Sequence, residues 1–137
     1  MNAAVKVPVH KIRVILADDH PVVRDGLAAI VNQQPDMQVV AEAGDGAEAL
    51  ELYEQHLPDV MVLDLRMPKM DGAALYWALQ LRHGSAMPRM IYVTGQAHSL
   101  DYAGFLAASR VPVLSKPFSP EDLRQAVRQA LDKNNSG

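Results

Sequence analysis

The sequence predicts an α/β fold, a five-stranded parallel sheet doubly wound with helices on both faces. Three observations carry that prediction. Four short apolar runs, 14–17, 60–63, 90–93 and 111–114, are continuous and not alternating, as in strands covered on both faces; a weaker run spans 37–43. The stretches between them repeat apolar residues at helical spacing. Helix-start signals fall where those stretches begin.

The elements follow in order. A first strand is expected over 12–17 and a first helix over 21–33, where Val23, Leu27, Ile30 and Val31 share a face. A second strand over 37–43 leads to a helix over 45–56, opened by Asp45 with Glu48 three residues on, the pattern of a capping box. The third strand, 60–64, precedes a helix over 72–82. The fourth, 89–94, precedes a helix over 97–108 in which Gly104 interrupts an Ala-rich segment. The fifth, 111–115, is followed by Ser119-Pro120-Glu121-Asp122, which supplies an N-cap, a first-position proline and first-turn acids. The helix over 120–132 then shows one face of Leu123, Ala126, Val127, Ala130 and Leu131. A disordered leader, 1–11, and tail, 133–137, are expected to flank a single domain, 12–132.

Composition narrows the function. A length of 137 residues fits one domain. With no cysteine, disulfide and thiolate chemistry are excluded and a cytoplasmic setting is favoured. No apolar run approaches the roughly 20 residues that span a bilayer, and residues 1–10 lack the apolar stretch of a signal peptide. A net charge of −3, from 13 basic and 16 acidic residues, argues against direct nucleic-acid binding. Of the acids, 11 are Asp and 5 are Glu, an excess of a residue that favours turns, caps and sites over helix interiors.

Chemical groups gather at the strand ends. The first strand ends in Asp18-Asp19, the third in Asp64, the fourth in Thr94 and the fifth in Ser115-Lys116. Open parallel sheets bind ligands beyond the carboxyl ends of their strands, where the strand order switches. In the order 2-1-3-4-5 the first and third strands flank that switch; the second is an edge strand, and it ends in Ala43-Gly44 with no comparable group. Three carboxylates in one place repel unless a cation joins them. Oxygen donors of this kind suit Mg²⁺, with Mn²⁺ as a substitute. A carboxylate can also attack a phosphoryl group, whose oxygens then need an ammonium, a hydroxyl donor and the metal. The set points to metal-assisted phosphoryl transfer onto an aspartate.

Four motifs, Ile15-Leu16-Ala17-Asp18-Asp19-His20, Asp64-Leu65-Arg66-Met67-Pro68-Lys69-Met70-Asp71-Gly72, Val93-Thr94-Gly95 and Leu114-Ser115-Lys116-Pro117-Phe118, stand in order over residues 12–132. In them the chain resembles the receiver domains of two-component response regulators, of CheY-like, flavodoxin-like fold. The resemblance implies that Asp64 is the phosphoacceptor and that Asp19 and Asp64 ligate Mg²⁺ with the backbone carbonyl of Arg66, while Asp18 acts through a bound water. It implies that Thr94 bonds a phosphoryl oxygen and moves on activation, that Lys116 pairs with the phosphoryl group, and that the Lys116–Pro117 peptide is cis. The donor it implies is a sensor histidine kinase or a histidine phosphotransfer protein, with autodephosphorylation resetting the state.

The chain departs from the family at Val113, three residues before the lysine, where receivers often carry the Tyr or Phe of their switch. Arg66 and Gln96 are expected to flank the mouth of the site. The five histidines show no ligand spacing and read as surface or loop residues, His20 at the rim beside the acid pair. Arg110, Arg124 and Arg128, on or near the last strand and helix, read either as a solvated face or as a contact surface for an output partner or a second copy. Val113 also leaves open a receiver-fold docking module that acts without phosphorylation. A phosphatase on outside substrates is disfavoured, since Asp64-Leu65-Arg66 lacks a second acid to protonate a leaving group. A stand-alone receiver and a piece of a longer regulator both remain open.

Overall fold

The computed structural model describes residues 11–95 and 100–136. Gln96, and all of the expected leader except Lys11, lie outside the described residues. Strand and helix alternate five times: β1 (Ile12–Ala17), α1 (Pro21–Asn32), β2 (Met37–Ala43), α2 (Gly46–His56), β3 (Val60–Leu63), α3 (Gly72–His83), β4 (Arg89–Thr94), α4 (Leu100–Ser109), β5 (Val113–Ser115) and α5 (Pro120–Ser136), with a 3-10 turn at Gly84–Ala86. All neighbouring strands are parallel, in the order β2-β1-β3-β4-β5. The strand order therefore reverses between β1 and β3, as expected for a doubly wound sheet.

The continuous apolar runs work because successive side chains alternate between two covered faces. On one face, Ile15, Ala17, Met61, Leu63, Met90 and Tyr92 pack against Leu50 and Tyr53 of α2, Leu75 and Leu79 of α3, and Tyr102 of α4. On the other, Val14, Leu16, Val60, Val62, Ile91 and Val93 pack against Leu27 and Val31 of α1 and Leu123 and Val127 of α5. All four residues of β3, at the centre of the sheet, are fully buried.

Caps fix where the helices start, and so how the loops above the sheet are aimed. Asp45 accepts from the Glu48 N–H at 2.8 Å, while the Glu48 carboxylate reaches back to the Gly44 N–H at 2.8 Å, one residue earlier than a capping box requires. Asp71 caps α3 by accepting from the Ala74 N–H at 2.8 Å. Ser119 and Asp122 bond reciprocally at the start of α5, side chain to backbone, at 3.0 and 3.1 Å.

Two boundaries depart from expectation by two residues or more, the start of β5 and the end of α5. β5 begins at Val113, two residues late, because Arg110 adopts a left-handed backbone (φ 58°) and Pro112 has no N–H to give to a ladder. α4 runs through Gly104 as the expected helix does, from Leu100 to Ser109; residues 97–99 of the expected helix lie outside the described residues. α5 continues to Ser136, so residues 133–136 are helical where a disordered tail is expected, since neither Gly nor Pro intervenes before Gly137. No helix among the described residues is long and apolar enough to cross a membrane.

The loop after β3 approaches α2 closely. Lys69 takes a left-handed backbone (φ 68°) and its ammonium lies 3.5 Å from Asp45. A methyl group on Gly46 would overlap the Met70 carbonyl, whereas one on Gly104 meets open space. Gly46→Ala is expected to cost about 1–3 kcal/mol by overpacking. Gly104→Ala is expected to stabilise by about 0.5–1 kcal/mol through helix propensity. Urea unfolding midpoints check both, and a Gly46→Ala midpoint equal to wild type would contradict the close approach of that loop.

Candidate functional site

The hydrogen-bond ladder continues one step past the strands and carries the chemical groups with it. The Asp18 N–H donates to the Ala43 carbonyl at 3.0 Å, the Asp64 N–H to Ala17 at 3.0 Å and the Lys116 N–H to Thr94 at 3.1 Å. These bonds set Asp18 and Asp64 side by side on adjacent strand ends. Tyrosines aside, Asp18 (1% exposed), Asp64 (6%) and Thr94 (0%) are the buried polar or charged side chains among the described residues. Asp19 is more open, with 35% of its side chain accessible.

Lys116 bridges the buried pair. Its ammonium lies 3.4 Å from Asp64 Oδ2 and 3.8 Å from Asp18 Oδ2. The Lys116–Pro117 peptide is cis. Asp64 Oδ1 accepts from the Arg66 N–H at 3.2 Å. Asp18 Oδ1 accepts from both the backbone N–H and the ring Nδ1 of His20, each at 2.8 Å. Asp18 Oδ2 is buried without a hydrogen-bond partner among the described residues.

His20 and Arg24 contribute more than the sequence indicates. His20 is the N-cap residue of α1, yet its ring makes no capping bond. The ring turns to the acids, at 2.8 Å from Asp18 and 3.1 Å from Asp19. The bond to Asp18, with the charges of Asp19 and Asp18 behind it, raises the imidazole pKa above its ordinary value. Arg24, one turn further on, donates to the Asp18 carbonyl at 2.6 Å and pairs with Glu42 at 3.2 Å, tying the end of β1 to the end of β2. His20 could be flagged by its place next to the acid pair. Arg24 carries no sequence signal, because its partner is a backbone oxygen.

Around the rim, the Arg66 guanidinium stacks over the Tyr102 ring, 5.4 Å from its centroid, and the Tyr102 hydroxyl lies 3.4 Å from the capping carboxylate of Asp71. Val113 is partly buried and pairs across the ladder with Tyr92. The Tyr92 hydroxyl donates to the Gly72 carbonyl at 2.8 Å, and burial holds its pKa well above the ordinary phenol value.

The pocket fits a divalent cation. A buried carboxylate oxygen with no donor costs free energy, and a metal ion supplies what it lacks. Donor atoms of Asp18, Asp19 and His20 all lie within 4.8 Å of one another. Asp64 falls outside that compact group, its oxygens engaged by Arg66 and Lys116.

A parallel sheet of this order, with buried acids, a hydroxyl and an ammonium at its switch point, defines a CheY-like receiver fold. The chain belongs to the response regulator receiver domain family, whose model matches residues 14–128. It is 37% identical over 117 residues to the nitrate/nitrite response regulator protein NarL of Escherichia coli, a match covering 85% of this chain and 53% of NarL. It is 35% identical over 119 residues to the transcriptional regulatory protein LiaR of Bacillus subtilis, covering 87% and 56% of the two chains. The chain thus spans about half the length of these curated relatives. Among solved structures, the receiver domain of AraT, a response regulator from Geobacillus stearothermophilus, superposes with a TM-score of 0.75 at 36% identity, covering 90% of this chain and 95% of that one. The signal receiver domain of the response regulator NarL from Mycobacterium tuberculosis superposes with a TM-score of 0.73 at 32% identity, covering 93% and 99%.

Binding to the folded state alone stabilises it by about 2.7 kcal/mol when free ligand is 100-fold above Kd. Saturating Mg²⁺ is therefore expected to raise the thermal midpoint, and excess EDTA to reverse the rise. Asp18→Ala should remove most of the effect; an undiminished rise in that variant would show that the ion binds elsewhere.

Proposed function

We propose that the chain is a phosphorelay receiver that takes a phosphoryl group from the phosphohistidine of a sensor histidine kinase or histidine phosphotransfer protein onto Asp64. A carboxylate oxygen of Asp64 attacks phosphorus, the P–N bond breaks, and the donor imidazole leaves as the acyl phosphate forms. Later attack by water on phosphorus releases inorganic phosphate and restores the carboxylate. Bound Mg²⁺, or Mn²⁺ in its place, would neutralise charge on the phosphoryl oxygens. Asp18, Asp19, Asp64 and the Arg66 carbonyl are the groups proposed to hold it. Lys116 would pair with the phosphoryl group and Thr94 would bond one of its oxygens.

One observation carries this reading: Asp18, Asp64 and Thr94 are buried together at adjacent strand ends, with the Lys116 ammonium 3.4 Å from Asp64. A structural role does not account for two buried acids sharing one cation. Phosphorylation would then shift an existing balance between two conformations, read by a partner through the last strand and helix. Val113 favours a second reading, a docking module that binds its partner equally with or without the phosphoryl group. Partner affinity with and without beryllofluoride separates the two.

Incubation with Mg²⁺ and a small acyl or amide phosphate should add one phosphoryl group by intact-mass spectrometry. Asp64→Asn should abolish the addition, and Lys116→Ala should slow it by about tenfold or more. Equal labelling of Asp64→Asn would overturn the assignment.

A further inference from the structure

We propose that a cavity at the amino-terminal edge of the sheet, opposite the acid pocket, binds a small organic anion, an apolar ring body carrying a carboxylate or phosphate, through Arg89 and Arg110. The site stands apart from phosphoryl transfer. Arg89 opens β4 and Thr94 closes it, roughly 17 Å away at about 3.3 Å per residue.

Size is the first support. The cavity holds about 410 Å³ where the ends of α3 and α4 meet the starts of β4 and β5. Small-molecule sites run from about 300 to 1,000 Å³ and are mostly apolar, with a few placed polar groups. Here Tyr76, Met87, Met90 and Val111 supply apolar wall.

Charge selects the ligand. Arg89 and Arg110 line the cavity, and no acidic residue among the described residues does. Neither guanidinium forms an ion pair with a described residue, whereas Arg24, Arg82, Arg124 and Arg128 each hold a carboxylate. Asp59 stands beside Arg89 in the ladder, its carbonyl accepting the Arg89 N–H at 3.2 Å. Its carboxylate is given instead to the Arg13 N–H at 2.8 Å. Two uncompensated cations on an apolar-walled cavity attract an anion, and guanidinium forks match the paired oxygens of a carboxylate or phosphate.

Ser109 is the independent sign. It lies on the wall of the same cavity, and its hydroxyl oxygen is buried without a hydrogen-bond partner among the described residues. A buried hydroxyl left unpaired costs free energy, which an anion's oxygen would recover by accepting from it. Arg110 follows in a left-handed backbone, φ 58°, at the position after α4 where Gly or Asn is usual. An arginine there carries a backbone cost that glycine would not.

Titration of 2-naphthoate and of 2-naphthyl phosphate into the nitrogen-15-labelled chain, in EDTA, tests this. At least one should shift the amides of Arg89, Ser109 and Val111 and leave those of Asp18 and Asp64 unmoved; the tighter of the two names the anionic group. Neutral 2-naphthalenemethanol and inorganic phosphate should each bind at least about tenfold more weakly. Arg89→Gln and Arg110→Gly should each weaken the tighter ligand by about tenfold. Glycine suits the backbone at 110, so Arg110→Gly should keep or raise the thermal midpoint while affinity falls. Binding of neither anion, equal affinity for the neutral alcohol, affinity unchanged in both arginine variants, or shifts confined to other parts of the fold overturns the inference.

Discussion

The structure turns on one electrostatic constraint: two buried carboxylates, Asp18 and Asp64, share a single ammonium. Charges removed from water must be paired or bound to metal. Lys116 meets that need for Asp64 at 3.4 Å and only weakly for Asp18 at 3.8 Å. Much of the surrounding architecture limits the cost of this arrangement. The backbone N–H groups of His20 and Arg66 each point at a carboxylate oxygen, and Arg24 fixes the Asp18 carbonyl from behind. The dry sheet beneath, with β3 fully buried, prevents the acids from relaxing inward.

A second layer links the pocket to the helices. Gly72 opens α3 against the Asp64 carbonyl and the Tyr92 ring, where a methyl group would lie 2.8 Å from each. Tyr92 in turn bonds the Gly72 carbonyl and meets Phe105 of α4 edge to face, with centroids 5.5 Å apart. A buried aromatic thus stands one strand over from Val113, directly paired with it. Tyr92, fully buried, touches the β3–α3 loop through its hydroxyl and α4 through its ring. The packing from the β3–α3 loop to α4 thus passes through Tyr92 and Phe105 and not through position 113.

The fold and the pocket were legible in the sequence for different reasons. Continuous apolar runs report burial on both faces, and the residue just past each run reports what stands at the sheet's carboxyl edge; Asp18, Asp64, Thr94 and Lys116 could be placed by counting along the chain. The shortened β5 depends on the left-handed turn at Arg110, and the long α5 on the absence of any stop before Gly137, so neither boundary follows from hydrophobic period. The clasp made by Arg24 joins a helix side chain to backbone oxygens of two strands, which no spacing rule encodes. The turn of the His20 ring toward the acids, in place of a capping bond, is likewise a contact that no spacing rule encodes.

Environment, more than residue type, separates the three acids. Asp19 is the most open of the three, with 35% of its side chain accessible, so a cation can reach it from solvent. Asp18 has one oxygen saturated by two donors of His20, and the carboxylate is almost wholly enclosed, so an incoming phosphorus has no line of approach to it. Asp64 stands nearer the Lys116 ammonium than Asp18 does, 3.4 Å against 3.8 Å, and is the less enclosed of the two, 6% against 1% exposed. A carboxylate in that position is held in place by its neighbours without being consumed by them. That difference supports giving the nucleophile's role to Asp64, with Asp18 and Asp19 sharing the proposed cation beside it.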